Sequence, residues 1–356
     1  MVGGLQRRLG TADAVVLGLG AMLGTGVFTA LGPAAGAAGR WLLLSLLLAA
    51  VVATCNALSS ADLAAVHPQA GGTYVQAGVR IGPWSARLAG SAFLVGKTAS
   101  AAAGAFGAYV VPAAPTVAAV VLVAAMTAIN TVGVRWTARV TWVLVTVVLL
   151  VLALVVVAGL QPGAGAQASG APLVAPVPAP AVDPPSPAGV LAGAGLLFFA
   201  FAGYARMATL GEEVRDPARS LRTAIPLALV IALVVYLLVA LAALRALGPE
   251  VLASATAPLA DVVAASTFAD LTAVVRIGAA VATVSVLLSV LVGVSRTTLA
   301  MARGGDLPAV LTTIGRRARP GARTSRAARW PRCWRCSPAP PRRSRSPRAA
   351  CSSTTR

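Results

Sequence analysis

The chain has 356 residues, 58% of them hydrophobic and 11% charged, with a mean hydropathy of +0.83. A soluble globular domain is about 45–50% apolar and about 25% charged, so this composition excludes a water-facing fold and points to a bilayer. The formal charge of +19 is concentrated in 316–356, which holds 13 arginines and no acid; the first 315 residues carry a net of +6 and give no case for a nucleic-acid partner.

In chain order, the apolar runs predict eight spanning segments, near 12–34, 41–66, 84–111, 114–131, 137–160, 188–211, 223–247 and 270–302. Each approaches the roughly 20 apolar residues that cross a bilayer. No cleavable signal peptide is expected, because the first apolar segment runs past signal-peptide length. Basic residues alternate between connections. Arg7 and Arg8 precede the first segment, and Arg80 and Arg87 follow the second. Arg135 and Arg139 follow the fourth, and Arg215, Arg219 and Arg222 follow the sixth, whereas the opposite connections hold only Arg40 and Arg245. That bias predicts a multi-pass protein of the cell membrane with a cytoplasmic N-terminus. The loop 161–189 is rich in Pro, Gly and Ala, and is expected outside as an extended connection.

The first segment contains "LGLGAMLGTGVF". Each glycine weakens a helix interior by about 1 kcal/mol. A dinucleotide fingerprint would need a strand before it and an acid about 20 residues later; arginines stand there instead. Two readings stay open. Gly20 and Gly24 have the small-x-x-x-small spacing of packed membrane helices. Alternatively the helix is broken, and Gly24, Thr25 and Gly26 form a turn whose amides face an anion. Irregular backbone at membrane depth is tolerated only beside a cavity or other protein. The sixth segment, "FFAFAGYARMATLG", is interrupted in the same way, and paired interruptions are a pointer to a transporter site.

Other stretches carry less. "GKT" at 96–98 fails the P-loop pattern, since Ser91 stands where a glycine is required. Lys97 is nonetheless the chain's single lysine, and it stands well inside a spanning segment. A cation there contacts substrate, couples to protons, or packs with a hydrogen-bonded partner. Cys333 and Cys336 form a lone C-x-x-C without the four ligands zinc needs. His67 stands alone before Pro68, and no catalytic constellation, cofactor motif or metal cluster is visible.

The sixth segment and its following loop, "FFAFAGYARMATLGEEVRDPARS", resemble the helix-six signature of the amino acid–polyamine–organocation permeases. The residues that carry the likeness are Phe198 to Phe201, Gly203, Glu212, Glu213, Val214, Asp216, Pro217 and Arg219. "GLGAMLGTGVF", "HPQAGGTYV" at 67–75 and "SRTTLAMARGGDLP" at 295–308 are similar to three further motifs of that family, in order, over 11 to about 311. The resemblance implies an all-α polytopic membrane protein with a LeuT-like inverted-repeat fold, here cut after about eight transmembrane helices. It implies secondary active transport of an amino acid or amine, with no covalent chemistry and no cofactor. The substrate carboxylate would sit on backbone around Gly24, Thr25 and Gly26, and its ammonium on carbonyls near Phe199, Ala200, Phe201, Ala202 and Gly203. Phe199, Phe201 and Tyr204 would shape the pocket; Lys97, Arg206, Glu212 and Glu213 are the coupling and gating candidates. Some relatives carry a lysine in helix five where this chain has Val148, so the coupling ion, proton or sodium, stays open; Ser285 and Ser289 are weak sodium candidates. No acid lies at mid-membrane, which favours a neutral substrate.

From Arg316 onward no Val, Leu, Ile, Met or Phe occurs, and Arg, Pro, Ser, Ala, Cys and Trp take their place. A GC-rich gene read out of frame gives that set. The 316–356 tail is therefore expected to be frameshifted and disordered. The alternative to a working permease is an inactive fragment or a non-transporting scaffold or sensor.

Overall fold

The computed structural model describes residues 9–66, 71–102, 134–161, 186–209 and 212–308. All belong to the unit spanning 3–320; the second unit, 1–2 with 321–356, lies outside the described residues. Also outside them are the expected fourth span, most of the 161–189 loop and the arginine-rich tail.

The first predicted span is three helices: α1 (Thr11–Met22), α2 (Thr25–Thr29) and α3 (Leu31–Ala38). A short 3₁₀ turn leads into α4 (Leu42–Val66), the second span. The stretch expected as a loop after it begins with a turn at Gly71–Gly72 and then forms α5 (Thr73–Arg80). This helix is amphipathic and buries Tyr74, Val75 and Gly78, which the loop reading overlooked. The described part of the third span is α6 (Pro83–Ala102). Next come α7 (Val134–Leu160) and α8 (Pro187–Phe201). Beyond α8 the chain tightens into a 3₁₀ turn at Ala202–Tyr204 and a single turn, α9 (Ala205–Ala208). The seventh span is α10 (Pro217–Ser254), interrupted at Gly248, whose φ of 73° only glycine adopts readily. A short α11 (Pro258–Ala264) precedes α12 (Thr272–Gly304), the eighth span.

Six stretches among the described residues are long and apolar enough to cross a membrane. In the Thr11–Thr29 stretch 76% of the most apolar part is buried, against 39–61% in the other five. The glycine-loaded segment is therefore the centre of the bundle. It packs against α7, α10, α12 and the 3₁₀ turn of the sixth span. The outer helices keep apolar side chains exposed, including Leu44, Val51, Leu150, Leu191, Val230 and Val234. On a soluble monomer such a surface would aggregate; on a bundle in lipid it is the lipid face.

Polar groups gather at one end. Leu9 donates its N–H to the Glu213 carbonyl and accepts from the Arg215 N–H, joining the chain before α1 to the loop before α10. Asp306, just beyond α12, accepts from the Tyr74 hydroxyl at 2.7 Å and from Arg87 Nε at 2.9 Å. Arg303 pairs with Glu212 at 3.3 Å, and Arg296 with Glu213. Three motif stretches separated in sequence thus meet at one end of the bundle.

Candidate functional site

Helix α1 stops about 18 Å from its start, at 1.5 Å per residue. The backbone turns at Leu23, with φ −74° and ψ 64°, and the Gly24 N–H reaches back to the Met22 carbonyl at 2.8 Å. This is an inverse γ-turn. Gly24 follows with φ −137° and ψ −142°, outside the helical region, and α2 starts at Thr25. The first amides of a helix have no intrahelical acceptor, so the break presents donors at mid-bundle.

The sixth span breaks beside it. A Cβ on Gly26 would stand 2.7 Å from Ala200 Cα, so α2 touches the backbone of α8. A Cβ on Gly203 would stand 2.6 Å from the Ala21 carbonyl carbon, so the 3₁₀ turn touches the end of α1. Tyr236, from α10, ties the two together. Its hydroxyl lies 2.5 Å from the Met22 carbonyl oxygen and 3.1 Å from that of Ala200. Its ring meets Phe201 edge-on with centroids 5.0 Å apart. One buried phenol therefore lies against a carbonyl at each break.

Gly24 faces α12, where a Cβ would overlap Val286, and Gly20 packs between Thr141 and Ser285. At these glycines the helices pack closely, and the helix is also interrupted after Met22. Thr25 opens α2, and its side chain lies outside the described residues. Ala200, Phe201, Gly203 and Tyr204 are buried at the breaks, with Ala202 half-buried. Phe199 departs from the expectation. It is 51% exposed, and its carbonyl accepts from the Ala202 N–H, so neither its ring nor its carbonyl faces the break. At 100° per residue, turning Ala200 toward Gly26 turns Phe199 outward.

Of the gating candidates, Lys97 lies on α6 with its side chain outside the described residues. Arg206 and Glu213 are buried, and Glu212 is half-buried. Burial pushes the Glu213 carboxyl above the usual carboxylate range, and Arg296 and Arg206 oppose that rise. Ser285 donates to the Gly20 carbonyl at 3.3 Å, while the Ser289 hydroxyl has no partner. Among the described residues no group of three or more His, Cys, Asp or Glu could hold a metal. Tyr236 was missed. The available signal was a lone phenol in the run "LVVYLLVALAAL", since a buried tyrosine hydroxyl needs a partner.

The family described as amino acid permease matches residues 13–322. The chain belongs to the amino acid permease family. An uncharacterized transporter of Mycobacterium tuberculosis is 54% identical over 312 residues, which cover 87% of this chain and 69% of that relative. The branched-chain amino acid permease BcaP of Bacillus subtilis is 27% identical over 341 residues, 92% of this chain and 72% of the relative. Cationic amino acid transporter 9 of Arabidopsis thaliana is 28% identical over 334 residues, 87% of this chain and 58% of the relative. As a member of this family the chain is a multi-pass permease with a LeuT-like helical fold, and not an enzyme.

Proposed function

We propose that the chain transports a neutral amino acid across the cell membrane by secondary active transport, with alternating access around the paired breaks. The observation that carries this is the contact of two interrupted backbones at mid-span, Gly26 on Ala200 and Gly203 on Ala21. The amides that open α2 at Thr25 and Gly26 receive the carboxylate, favoured there by the helix dipole. The ammonium takes carbonyls of the α8 end, with Phe201 and Tyr204 closing the side-chain pocket. Every acid among the described residues lies toward an end of the bundle, none at the breaks. That disfavours a cationic side chain and agrees with the branched-chain specificity in the name of the Bacillus relative.

The end bearing Leu9, Arg87, Glu212, Glu213, Arg215 and Arg303 is cytoplasmic on the positive-inside rule. Glu213 with Arg296 and Glu212 with Arg303 close that end and part when it opens. The test is a thermal-shift screen of the purified protein with leucine, isoleucine, valine, lysine and arginine. Stabilisation by branched-chain amino acids alone is expected; stabilisation by lysine or arginine alone would reverse the substrate class, and none by any amino acid would remove the reading.

A further inference from the structure

Below the break in the sixth span, buried side-chain donors outnumber acceptors. Arg206 is 5% exposed; its Nη1 donates to Thr209 Oγ1 at 3.2 Å, and its Nε and Nη2 have no partner. Its guanidinium rests on α12 at Gly293, where a Cβ would stand 2.8 Å from Nη1. Ser289 and Thr297 sit one turn to either side of Gly293, and Arg296 shares that face of α12. The hydroxyls of Ser289 and Thr297 are buried without partners, and so is Arg296 Nε. Gln76 Nε2, on the neighbouring α5, is unpartnered as well. The acid here is Glu213, which Arg296 engages through Oε1 while its buried Oε2 has no partner, so one carboxylate oxygen stands against four unpartnered guanidinium N–H groups; the adjacent Glu212 is held by Arg303.

Two guanidiniums facing one carboxylate leave a surplus positive charge. Arginine cannot shed its proton to relieve it. Water could satisfy the orphaned donors, but it would not offset the charge, and an uncompensated buried charge costs far more than a buried dipole. An anion does both, and a planar guanidinium matches a carboxylate through two parallel N–H bonds.

We propose that Arg206, flanked on α12 by Ser289 toward the break and Thr297 toward the cytoplasmic end, forms an anion subsite that takes a small monovalent anion, a carboxylate or a halide, against the guanidinium and the nearer of the two hydroxyls. Resting on the transport reading above, its natural occupant is the carboxylate of the substrate as it leaves the break toward the cytoplasm. The donors at the break and those of Arg206 then serve one carboxylate in turn.

The test uses the purified full chain, with acetate and chloride as probes and gluconate, whose six-carbon polyol chain is too large for a buried small-anion site, as the reference salt at equal ionic strength. Acetate and chloride should each raise the Tm saturably, and Arg206→Gln should remove the shift. Of Thr297→Val and Ser289→Ala, which keep the charge, at least one should weaken each anion several-fold; they carry the test if Arg206→Gln does not fold. Leucine should compete with acetate, whereas 3-methylbutylamine, which lacks the carboxylate, should not. Anion shifts lost in Arg206→Gln but indifferent to leucine assign the subsite to a halide rather than to substrate. The subsite is overturned if neither anion shifts the wild type, or if the shift persists in all three variants. Leucine stabilisation without any anion effect removes the subsite and leaves the transport reading standing. Anion effects without amino acid binding do the reverse.

Discussion

The hydroxyl of Tyr236 lies 2.5 Å from the carbonyl oxygen of Met22, the last residue before the helix-one break. The same hydroxyl lies 3.1 Å from the carbonyl oxygen of Ala200, one residue before the end of α8. A broken helix takes from its last carbonyls their usual amide partners four residues on, and a buried carbonyl left short of donors costs about 1–3 kcal/mol; Met22 keeps the Gly24 N–H of the turn and gains the phenol as a second donor. A single phenol on α10 serves both breaks and fixes their separation.

Tyr236→Phe keeps the ring contact with Phe201 and removes the hydroxyl. It should lower stability by ~1–3 kcal/mol and weaken amino acid binding more than tenfold, because the carbonyls turn to find other donors. A thermal melt with and without leucine separates the two effects. An unchanged affinity with lowered Tm would make Tyr236 a packing residue alone.

Gly26 is a second point of contact between the breaks. Alanine there places a methyl 2.7 Å from Ala200 Cα, and backbone cannot yield as a side-chain tip does. Gly26→Ala should reduce leucine stabilisation strongly, and Gly26→Val should abolish it while the protein still inserts. Gly195 is the control, since it lies within α8 and a Cβ there meets nothing within 4 Å. Gly195→Ala should leave binding unchanged and add up to about 1 kcal/mol of stability from helix propensity. Equal binding in both alanine variants would dismiss close approach at Gly26.

Much of this fold was legible because a bilayer enforces a simple code: long apolar runs, and interruptions only where protein or a cavity receives them. The interruptions near Gly24 and after Phe201 followed from that code, whereas the charged loop, which its composition suggested would be solvated, buries Glu213 and meets α12 through Glu212 and Glu213. The partners of those features were not legible. Nothing in the sequence says that Tyr236 spans both breaks, that Gly203 meets Ala21, or that Phe199 turns outward while Ala200 turns inward. These depend on helix rotation, which a nearly uniform apolar sequence does not set. Helix α5 was hidden for a related reason: its eight residues are too few to show a convincing period beside a turn rich in glycine.

Asp306 joins α5 and α6 to the end of α12 through Tyr74 and Arg87. Tyr74 is buried, and burial together with the Asp306 bond pushes its phenol above the usual tyrosine range, so it stays a donor at any working pH. Asp306→Ala leaves that phenol without its acceptor. The amides of 73–80 should then exchange with solvent several-fold faster, while the paired breaks keep their protection. Hydrogen exchange read by mass spectrometry decides it, and uniform protection across α5 in the variant would show that apolar packing alone seats this helix.

Glu213 gives a pH-dependent expectation. It is 3% exposed, and burial raises its pKa, with Arg296 and then Arg206 opposing. Between the ordinary value of 4.5 and its raised folded value, the native chain holds a proton that the unfolded chain has released. The stability this proton contributes is complete below 4.5 and is lost as pH rises through the raised value. The wild-type Tm should therefore fall with rising pH across that window. Glu213→Gln removes the titration, and as a neutral group of nearly the same shape it stands in for the protonated acid, so its stability should stay near the wild type's low-pH value as pH rises. The slope, not the offset, carries the information. It should flatten in the glutamine variant relative to wild type, and the contribution of Asp261, also raised by burial, cancels in the comparison. Parallel pH profiles would place the titrating group elsewhere and make Glu213 an ionised partner of Arg296 at every pH tested.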